Sequence, residues 1–149
     1  MMMRTHLLFG VLLALFFFPH VTTPVIFVTL VVIASLLPDV DSMHSYVGRS
    51  IFLRPLQWVM RHRGFLHSVT FAVFVSFILV LFIPVTSFPF FIGYVGHLLL
   101  DSFTIEGIRP WWPSKEEWKG SIVTGSSVES GIFYGMIVCG IVLAVVRFF

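Results

Sequence analysis

The sequence predicts an all-α integral membrane protein, a helical bundle with about five transmembrane helices, two polar cytoplasmic loops and a short interfacial helix. Composition is the first observation: of 149 residues, 58% are hydrophobic and only 11% are charged, whereas soluble domains carry roughly a quarter charged residues. The second is that apolar runs of helical length alternate with prolines and polar stretches. A chain this short forms one domain, here residues 1–149.

The first two apolar runs predict a helical hairpin. Helix 1 is expected at residues 5–18, before Pro19, and helix 2 begins at Thr23-Pro24 and ends at Pro38. Threonine is a good N-cap, and proline suits the first helical position. A single helix over both runs would measure about 50 Å, too long for one crossing. No small-residue cleavage pattern follows the first run, so we expect a retained helix rather than a signal peptide.

Three more helices follow a polar connection at residues 38–65. Within this connection, the apolar residues 51–60 are typical of a short helix lying on the bilayer. The later elements are helix 3 at residues 65–83, a turn at 85–88, helix 4 at 89–103, a polar connection at 104–130 and helix 5 at 131–148.

Basic residues indicate the orientation. Five crossings put eight of the nine Lys and Arg residues on one side, with only Arg147 opposite. The positive-inside rule makes that side cytoplasmic, so we expect a multi-pass protein of the cytoplasmic (inner) membrane with a cytoplasmic N-terminus. The net charge is only +2 and no basic run occurs, so nucleic acid is not an expected partner.

The same topology gathers polar side chains at the cytoplasmic end of the bundle. Histidines and carboxylates inside apolar helices are costly unless they are paired or bind an ion. In chain order, the candidate metal ligands are His6, Asp39, Asp41, His62, His67, His97, Asp101 and Glu129.

Spacing supports two pairs in this set. His97 and Asp101 are four residues apart, so they share one helix face and can bind one ion or two adjacent ions; the alternative is a buried Asp–His hydrogen bond. Asp39 and Asp41 alternate around one residue and point the same way in an extended backbone. Such pairs are common at divalent ions, although an ordinary helix-to-loop turn also explains them.

His62 and His67 are five residues apart, so Gly64 between them must interrupt the helix, leaving His62 in the loop and His67 in the first turn. Arg63 or Arg61 could bind a phosphate group and stabilise charge in the transition state. The alternative is that both arginines only contact lipid headgroups.

Two candidates and two glycines have weaker support. Glu129 follows Ser126 with the spacing of a capping box, which explains it without a metal. His6 has only its position in the topology in its favour. Gly93 and Gly96 would allow close helix packing. The four tryptophans (Trp58, Trp111, Trp112 and Trp118) are typical of an interfacial aromatic belt.

Together, these imidazoles and carboxylates suit a divalent metal, Zn²⁺ first and Mn²⁺ or Fe²⁺ as alternatives, with one or two ions bound. A two-metal site generates a nucleophile from water and stabilises both oxygens of a displacement at phosphorus.

Several segments match one family in order: Thr5-His6, residues 37–42, residues 62–68, residues 93–104, Gly107 and Trp112-Pro113. They resemble the YdjM-type membrane-bound metal-dependent hydrolases of bacteria and archaea, over about residues 5–113. The resemblance implies a metal-dependent hydrolase in the cytoplasmic membrane. The family is also distantly similar to the zinc-dependent phospholipase C group, in which helices that carry His-x-x-x-Asp and His-x-x-x-Glu bind metal. His97 and Asp101 fit the first pattern, and the second does not occur here.

The expected function is therefore hydrolysis of phosphate esters. The expected partners are membrane lipids, and the expected substrate is a phospholipid or a lipid-linked phosphate. Two alternatives stay open. One is a non-catalytic scaffold whose metal links short helices, and the other is a divalent-ion or proton transporter. The transporter needs polar residues on the far side, where the sequence offers few. The oligomeric state does not follow from the sequence.

Overall fold

Five α-helices make up most of the structure, a computed structural model that describes residues 1–41 and 64–148. They are α1 (Met3–Phe17), α2 (Pro24–Ala34), α3 (Val69–Phe82), α4 (Pro84–Ser102) and α5 (Ser127–Phe148). Two 3₁₀ helices, Phe18–His20 and Leu37–Asp41, follow α1 and α2. In the two described ranges there is no β-strand, so the all-helical class is confirmed there. The predicted interfacial helix at residues 51–60 lies outside the described residues.

Helix α4 is the centre of the bundle. It packs against α1, α2 and α3, whereas α5 packs against α1. Its buried face contributes Phe90, Tyr94 and Leu98 to a core completed by Ala34 of α2 and Ala72 of α3. Because α4 contacts three neighbours, a polar side chain on its buried face is positioned by all of them.

Two glycines of α4 allow its neighbours to approach closely, as the sequence predicts. A Cβ added at Gly93 would lie 2.3 Å from the Val31 carbonyl oxygen of α2, and one at Gly96 would lie 2.6 Å from Leu13 of α1. Real Cβ atoms do not approach this closely. Any larger residue at position 93 would therefore push α2 away from α4.

The ends of α3 and α4 differ from the sequence prediction. Helix α3 begins at Val69 because Ser68 is its N-cap, with the Ser68 Oγ accepting from the Phe71 N–H at 3.1 Å. The predicted start at residue 65 was therefore too early. Residues 85–88 are not a turn, since α4 already begins at Pro84 and continues through Pro89. The N–H of the first helical residue has no partner within the helix, so Pro84 can start α4 without the loss of a hydrogen bond.

Helix α2 ends at Ala34, earlier than the predicted Pro38, and Leu37–Asp41 continues as a 3₁₀ helix. Pro38 has no N–H, so it cannot donate to the Ala34 carbonyl four residues earlier. The last carbonyl groups of α2 are consequently free to accept other donors.

Two helices are long and apolar enough to cross a membrane by length and composition, Met3–His20 and Ser127–Arg147. Pro24–Ala34 and Val69–Phe82 are apolar but shorter. At 1.5 Å per residue, the 11 residues of α2 measure about 16 Å against a hydrocarbon core of about 30 Å. The prediction of five spans is thus supported for two helices and stays a prediction for the rest.

The connection between α4 and α5 folds against the N-terminal end of α3. The Pro110 carbonyl accepts from the Thr70 N–H at 3.2 Å, and Trp112 packs edge-on against Phe65 with ring centroids 4.8 Å apart. At its exposed surface, hydrogen bonds from Lys119 and then Arg109 lower the pKa of Glu117 to about 2.

Candidate metal centre

Five of the eight predicted ligands come together at one end of the described bundle. They lie at the ends of their elements: His6 in the first turns of α1, Asp39 in the 3₁₀ helix after α2, His67 just before α3, and His97 and Asp101 in the last turns of α4. The side chains of His6, His67, His97 and Asp101 are almost completely buried, and that of Asp39 is 15% exposed. His67 precedes the Ser68 cap, which corrects its predicted place in the first turn of helix 3.

Asp101 lies at the centre of these side chains, and its two oxygens face different groups. Oδ1 is 3.3 Å from Nε2 of His6 and accepts from the Met1 nitrogen. Oδ2 is 3.7 Å from Nε2 of His97 and 3.8 Å from Nε2 of His67. A carboxylate arranged in this way can bind one ion or bridge two.

His97 has a defined ring orientation. Its Nδ1 lies 2.8 Å from the backbone carbonyl oxygen of Ser35 at the end of α2. On the other side of the ring, Nε2 is 3.8 Å from Oδ1 of Asp39. The His6 and His97 rings are stacked, with centroids 3.7 Å apart and planes 11° apart.

Several ring nitrogens at this centre have no hydrogen-bond partner among the described residues. These are both nitrogens of His6 and Nε2 of His97. A buried polar atom without a partner is destabilising by about 1–3 kcal/mol. A metal ion would use one lone pair from each ring, that of a single His6 nitrogen and that of His97 Nε2.

The potential ligand atoms form two overlapping groups. One contains His6, Asp39 and His97, and the other contains His67, His97 and Asp101. In each group the ligand atoms lie within 4.8 Å of one another. Three imidazoles and two carboxylates are a donor set that fits Zn²⁺, Mn²⁺ or Fe²⁺.

Four further predicted site residues cannot be placed at this centre. Arg61, His62 and Arg63 lie outside the described residues. The backbone of Asp41 belongs to the 3₁₀ helix Leu37–Asp41, but its side chain is not described. Their roles stay predictions from the sequence.

Glu129 lies in the first turn of α5, outside both groups. Ser126 caps this helix by accepting from the Glu129 N–H at 3.3 Å. The reciprocal bond of the predicted capping box is shifted by one residue, since the Glu129 side chain accepts from Gly125 and not from Ser126. The Glu129 carboxylate accepts from the Met2 N–H at 2.6 Å, the Thr5 hydroxyl at 2.8 Å and the Gly125 N–H at 2.6 Å. It therefore joins the beginning of α1 to the beginning of α5.

Sequence reasoning missed two contributors to this end of the bundle. Ser35 contributes through its backbone carbonyl, which no side-chain motif reveals; only the proline three residues later indicates a helix end with free carbonyl groups. Thr5 contributes through its hydroxyl to Glu129; the family resemblance includes Thr5 beside His6, but it gave Thr5 no role.

The comparisons with known proteins agree with one another. A family model described as YdjM inner membrane protein matches residues 1–148. The chain is 30% identical to Inner membrane protein YdjM of Escherichia coli (strain K12), with 89% of this chain and 78% of that protein covered, and equally to the protein of the same name from Shigella flexneri. YvsG of Bacillus subtilis (strain 168) is 33% identical over 61% of this chain and 59% of its own length. No solved structure matches.

Proposed function

The chain belongs to the YdjM family of inner membrane proteins, and from this premise we propose that it is a metal-dependent hydrolase of phosphate esters. The proposed substrates are lipids or lipid-linked molecules whose phosphate groups lie at the cytoplasmic surface of the membrane. The proposed topology is multi-pass with a cytoplasmic N-terminus, because eight of the nine basic residues fall on one side of a five-span arrangement.

One observation carries the proposal: three histidines and two aspartates from four separate segments are gathered at one end of an apolar bundle, with His6, His67, His97 and Asp101 fully buried. Ionisable groups in a low-dielectric interior are destabilising unless they are paired or bind an ion. Asp101 is paired with the Met1 nitrogen, whereas both nitrogens of His6 and Nε2 of His97 make no hydrogen bond within the described residues. A bound divalent cation would offset that cost, since it attracts the carboxylates and uses the imidazole lone pairs.

The proposed ligands are His6, Asp39, His67, His97 and Asp101. Oδ2 of Asp101 faces His67 and His97. Oδ1 faces His6 but also accepts from the Met1 nitrogen, so a two-ion arrangement requires an ion to replace that nitrogen at Oδ1. We add Asp41 and His62 to the proposed set from the sequence. Glu129 is left out, because its two oxygens already accept three hydrogen bonds from other residues.

When bound, the metal ions would supply a nucleophile from water at neutral pH and stabilise charge that develops on the phosphate oxygens. The protein's part is to orient the ligands and exclude bulk water. Arg61 and Arg63, beside His62 in the sequence, are proposed to hold the phosphate by charge-assisted hydrogen bonds. Trp111, Trp112 and Trp118 are each more than 40% exposed and suit the headgroup region where such a substrate would lie.

A second candidate function has one observation in its favour. The described ligand atoms are closed off from solvent except at Asp39, and closed sites are typical of structural metals. In this alternative the ion links the ends of short helices and no substrate reaches it. The two functions differ in turnover but not in metal content.

Elemental analysis of detergent-purified protein, followed by an assay with phospholipid phosphates in mixed micelles, tests the proposal. His97→Ala should lose metal and turnover, whereas Asp101→Asn should lose turnover while the protein still inserts in the membrane. His20→Ala is the matched control, since His20 is exposed and follows the far end of α1. Wild-type protein without metal above background, even after reconstitution with Zn²⁺ or Mn²⁺, would refute the hydrolase and the scaffold alike. Metal without turnover on any phosphate ester would favour the scaffold.

A further inference from the structure

The hydrogen bond between His97 and Ser35 decides which ring nitrogen of His97 carries the proton. A carbonyl oxygen can only accept, so Nδ1, which lies 2.8 Å from the Ser35 oxygen, must be the donor. In the neutral imidazole, Nε2 then has the free lone pair. This nitrogen faces the carboxylates of Asp101 and Asp39, at 3.7 and 3.8 Å, and makes no hydrogen bond within the described residues.

The Ser35 carbonyl is available because of where α2 ends. In a continuing α-helix, it would accept from the N–H of residue 39. The chain instead leaves the α-helix after Ala34, and the 3₁₀ helix Leu37–Asp41 follows. The released carbonyl is buried, so it needs a donor, and Nδ1 of His97 provides one.

The absence of a side chain at Gly10 of α1 leaves the space that Ser35 occupies at the end of α2. A Cβ added at Gly10 would lie 2.5 Å from Oγ and 2.9 Å from Cβ of Ser35. The Ser35 hydroxyl is itself held by a 2.8 Å hydrogen bond to the Val32 carbonyl. The hydroxyl could rotate away from an added methyl group, but the Ser35 Cβ could not. Any side chain at position 10 therefore displaces Ser35.

We propose that the Ser35 carbonyl and Gly10 are positioning elements for the metal centre: together they fix the Nδ1–H tautomer and the ring orientation of His97, so that Nε2 is its only metal-binding atom. This inference rests on the proposed metal-dependent function. Metal-binding histidines generally donate their second ring nitrogen to a carbonyl or carboxylate, which sets the tautomer and the basicity of the ligand.

One consequence concerns the two overlapping ligand groups, which share His97. Because Nδ1 is occupied by Ser35, His97 can serve only one ion through Nε2. A second ion would have to be held without His97, either by His6 and Asp39 or by His67 and Asp101, depending on which group His97 joins.

The test compares four full-length proteins in detergent: wild type, Gly10→Ala, the double variant Gly10→Ala/Ser35→Gly, and Gly135→Ala. The double variant removes the side chain that collides with the added methyl group and keeps the carbonyl. Gly135→Ala is the matched control, because nothing lies within 4 Å of a Cβ at that helical position. The readouts are the imidazole ¹⁵N shifts of His97 in metal-free protein, assigned with His97→Gln, and Zn²⁺ affinity by competition with a chromophoric chelator.

Wild type and Gly135→Ala should show the Nδ1–H tautomer alone. Gly10→Ala should show a tautomer mixture and bind Zn²⁺ roughly 10- to 100-fold more weakly, the usual effect of losing such a partner. The double variant should recover both properties. If Gly10 had only a structural role, Gly10→Ala would bind Zn²⁺ more weakly but would keep the wild-type tautomer of His97.

Three outcomes would overturn the inference alone: an unaltered tautomer in Gly10→Ala, an unaltered Zn²⁺ affinity in that variant, or no recovery in the double variant. Wild-type protein that binds no Zn²⁺, Mn²⁺ or Fe²⁺ would overturn the proposed function and this inference with it. The two failures are therefore distinguishable.

Discussion

A methyl group at position 93 tests whether the contact between α4 and α2 sets the geometry of the metal centre. The Cβ of Gly93→Ala would lie 2.3 Å from the Val31 carbonyl oxygen and 2.9 Å from the Ala34 Cβ. Ordinary contacts begin near 3.4 Å, so α2 would have to move by about 1 Å. Neither a backbone oxygen nor a Cβ atom can rotate out of the way.

The expected loss of stability follows from two opposing effects. Overpacking a helix contact is destabilising by about 1–3 kcal/mol, whereas alanine in place of glycine in a helix is stabilising by about 1 kcal/mol. Because the collision at Gly93 is with backbone, we expect a net loss of about 1–2 kcal/mol. For a chain of this size, that corresponds to a melting temperature lower by about 2–8 °C.

The same displacement would reach the metal centre. Ser35 and Asp39 follow α2, whereas His97 is one turn after Gly93 on α4. Ligand distances in a metal site hold to within about 0.2 Å, so a shift of α2 should lower Zn²⁺ affinity by about tenfold or more.

Circular dichroism melting in detergent and Zn²⁺ competition measure the two effects, with Gly135→Ala as the control for the change in helix propensity. That position has open space around a Cβ, so the control should be as stable as wild type or slightly more. If Gly93→Ala matched the control in both measurements, the reasoning from close packing to metal geometry would be refuted.

Two further predictions concern residues around the centre. Glu129→Gln should lower stability by about 1–3 kcal/mol, because an amide cannot accept all three hydrogen bonds that the carboxylate accepts. Elemental analysis of this variant should give the wild-type metal content. A loss of metal would show that Glu129 is a ligand. Ser68→Ala should lower stability by about 1 kcal/mol through loss of the α3 cap. Ser68→Gly, which fits this fully buried position and is a good N-cap, should recover most of this loss in the same melting assay, and equal melting of Ser68→Ala and wild type would contradict the capping role.

Local rules predicted much of the candidate site. The four-residue spacing of His97 and Asp101 requires only the helical period, and the structure places both on the buried face of α4. The position of Asp39 after Pro38 and the cap that Ser126 provides to the Glu129 N–H likewise follow from neighbours in sequence. His6 had no motif of its own, yet it reaches Asp101 because alternating helix directions bring the start of α1 to the end of α4.

Helix boundaries were predicted less well where two signals compete. Both Pro84 and Pro89 can begin a helix, and the sequence alone does not decide between them. The structure begins α4 at Pro84, where the Ser87 hydroxyl can donate to the Ser76 carbonyl of α3 at 2.8 Å. That choice depends on a contact between two helices, which no local rule contains.

The sequence by itself determined the class of the protein, because composition, apolar runs and basic asymmetry are local properties that suit a lipid environment. It also determined which side chains are costly enough in an apolar bundle to suggest a metal. Only the tertiary structure decided how they meet: that Asp101 faces three histidines, that Glu129 is engaged by Thr5 and two backbone groups, and that Ser35 orients His97. The physical reason is that these contacts join residues far apart in the chain and often use backbone atoms, whose availability depends on where a helix ends and how closely its neighbour packs.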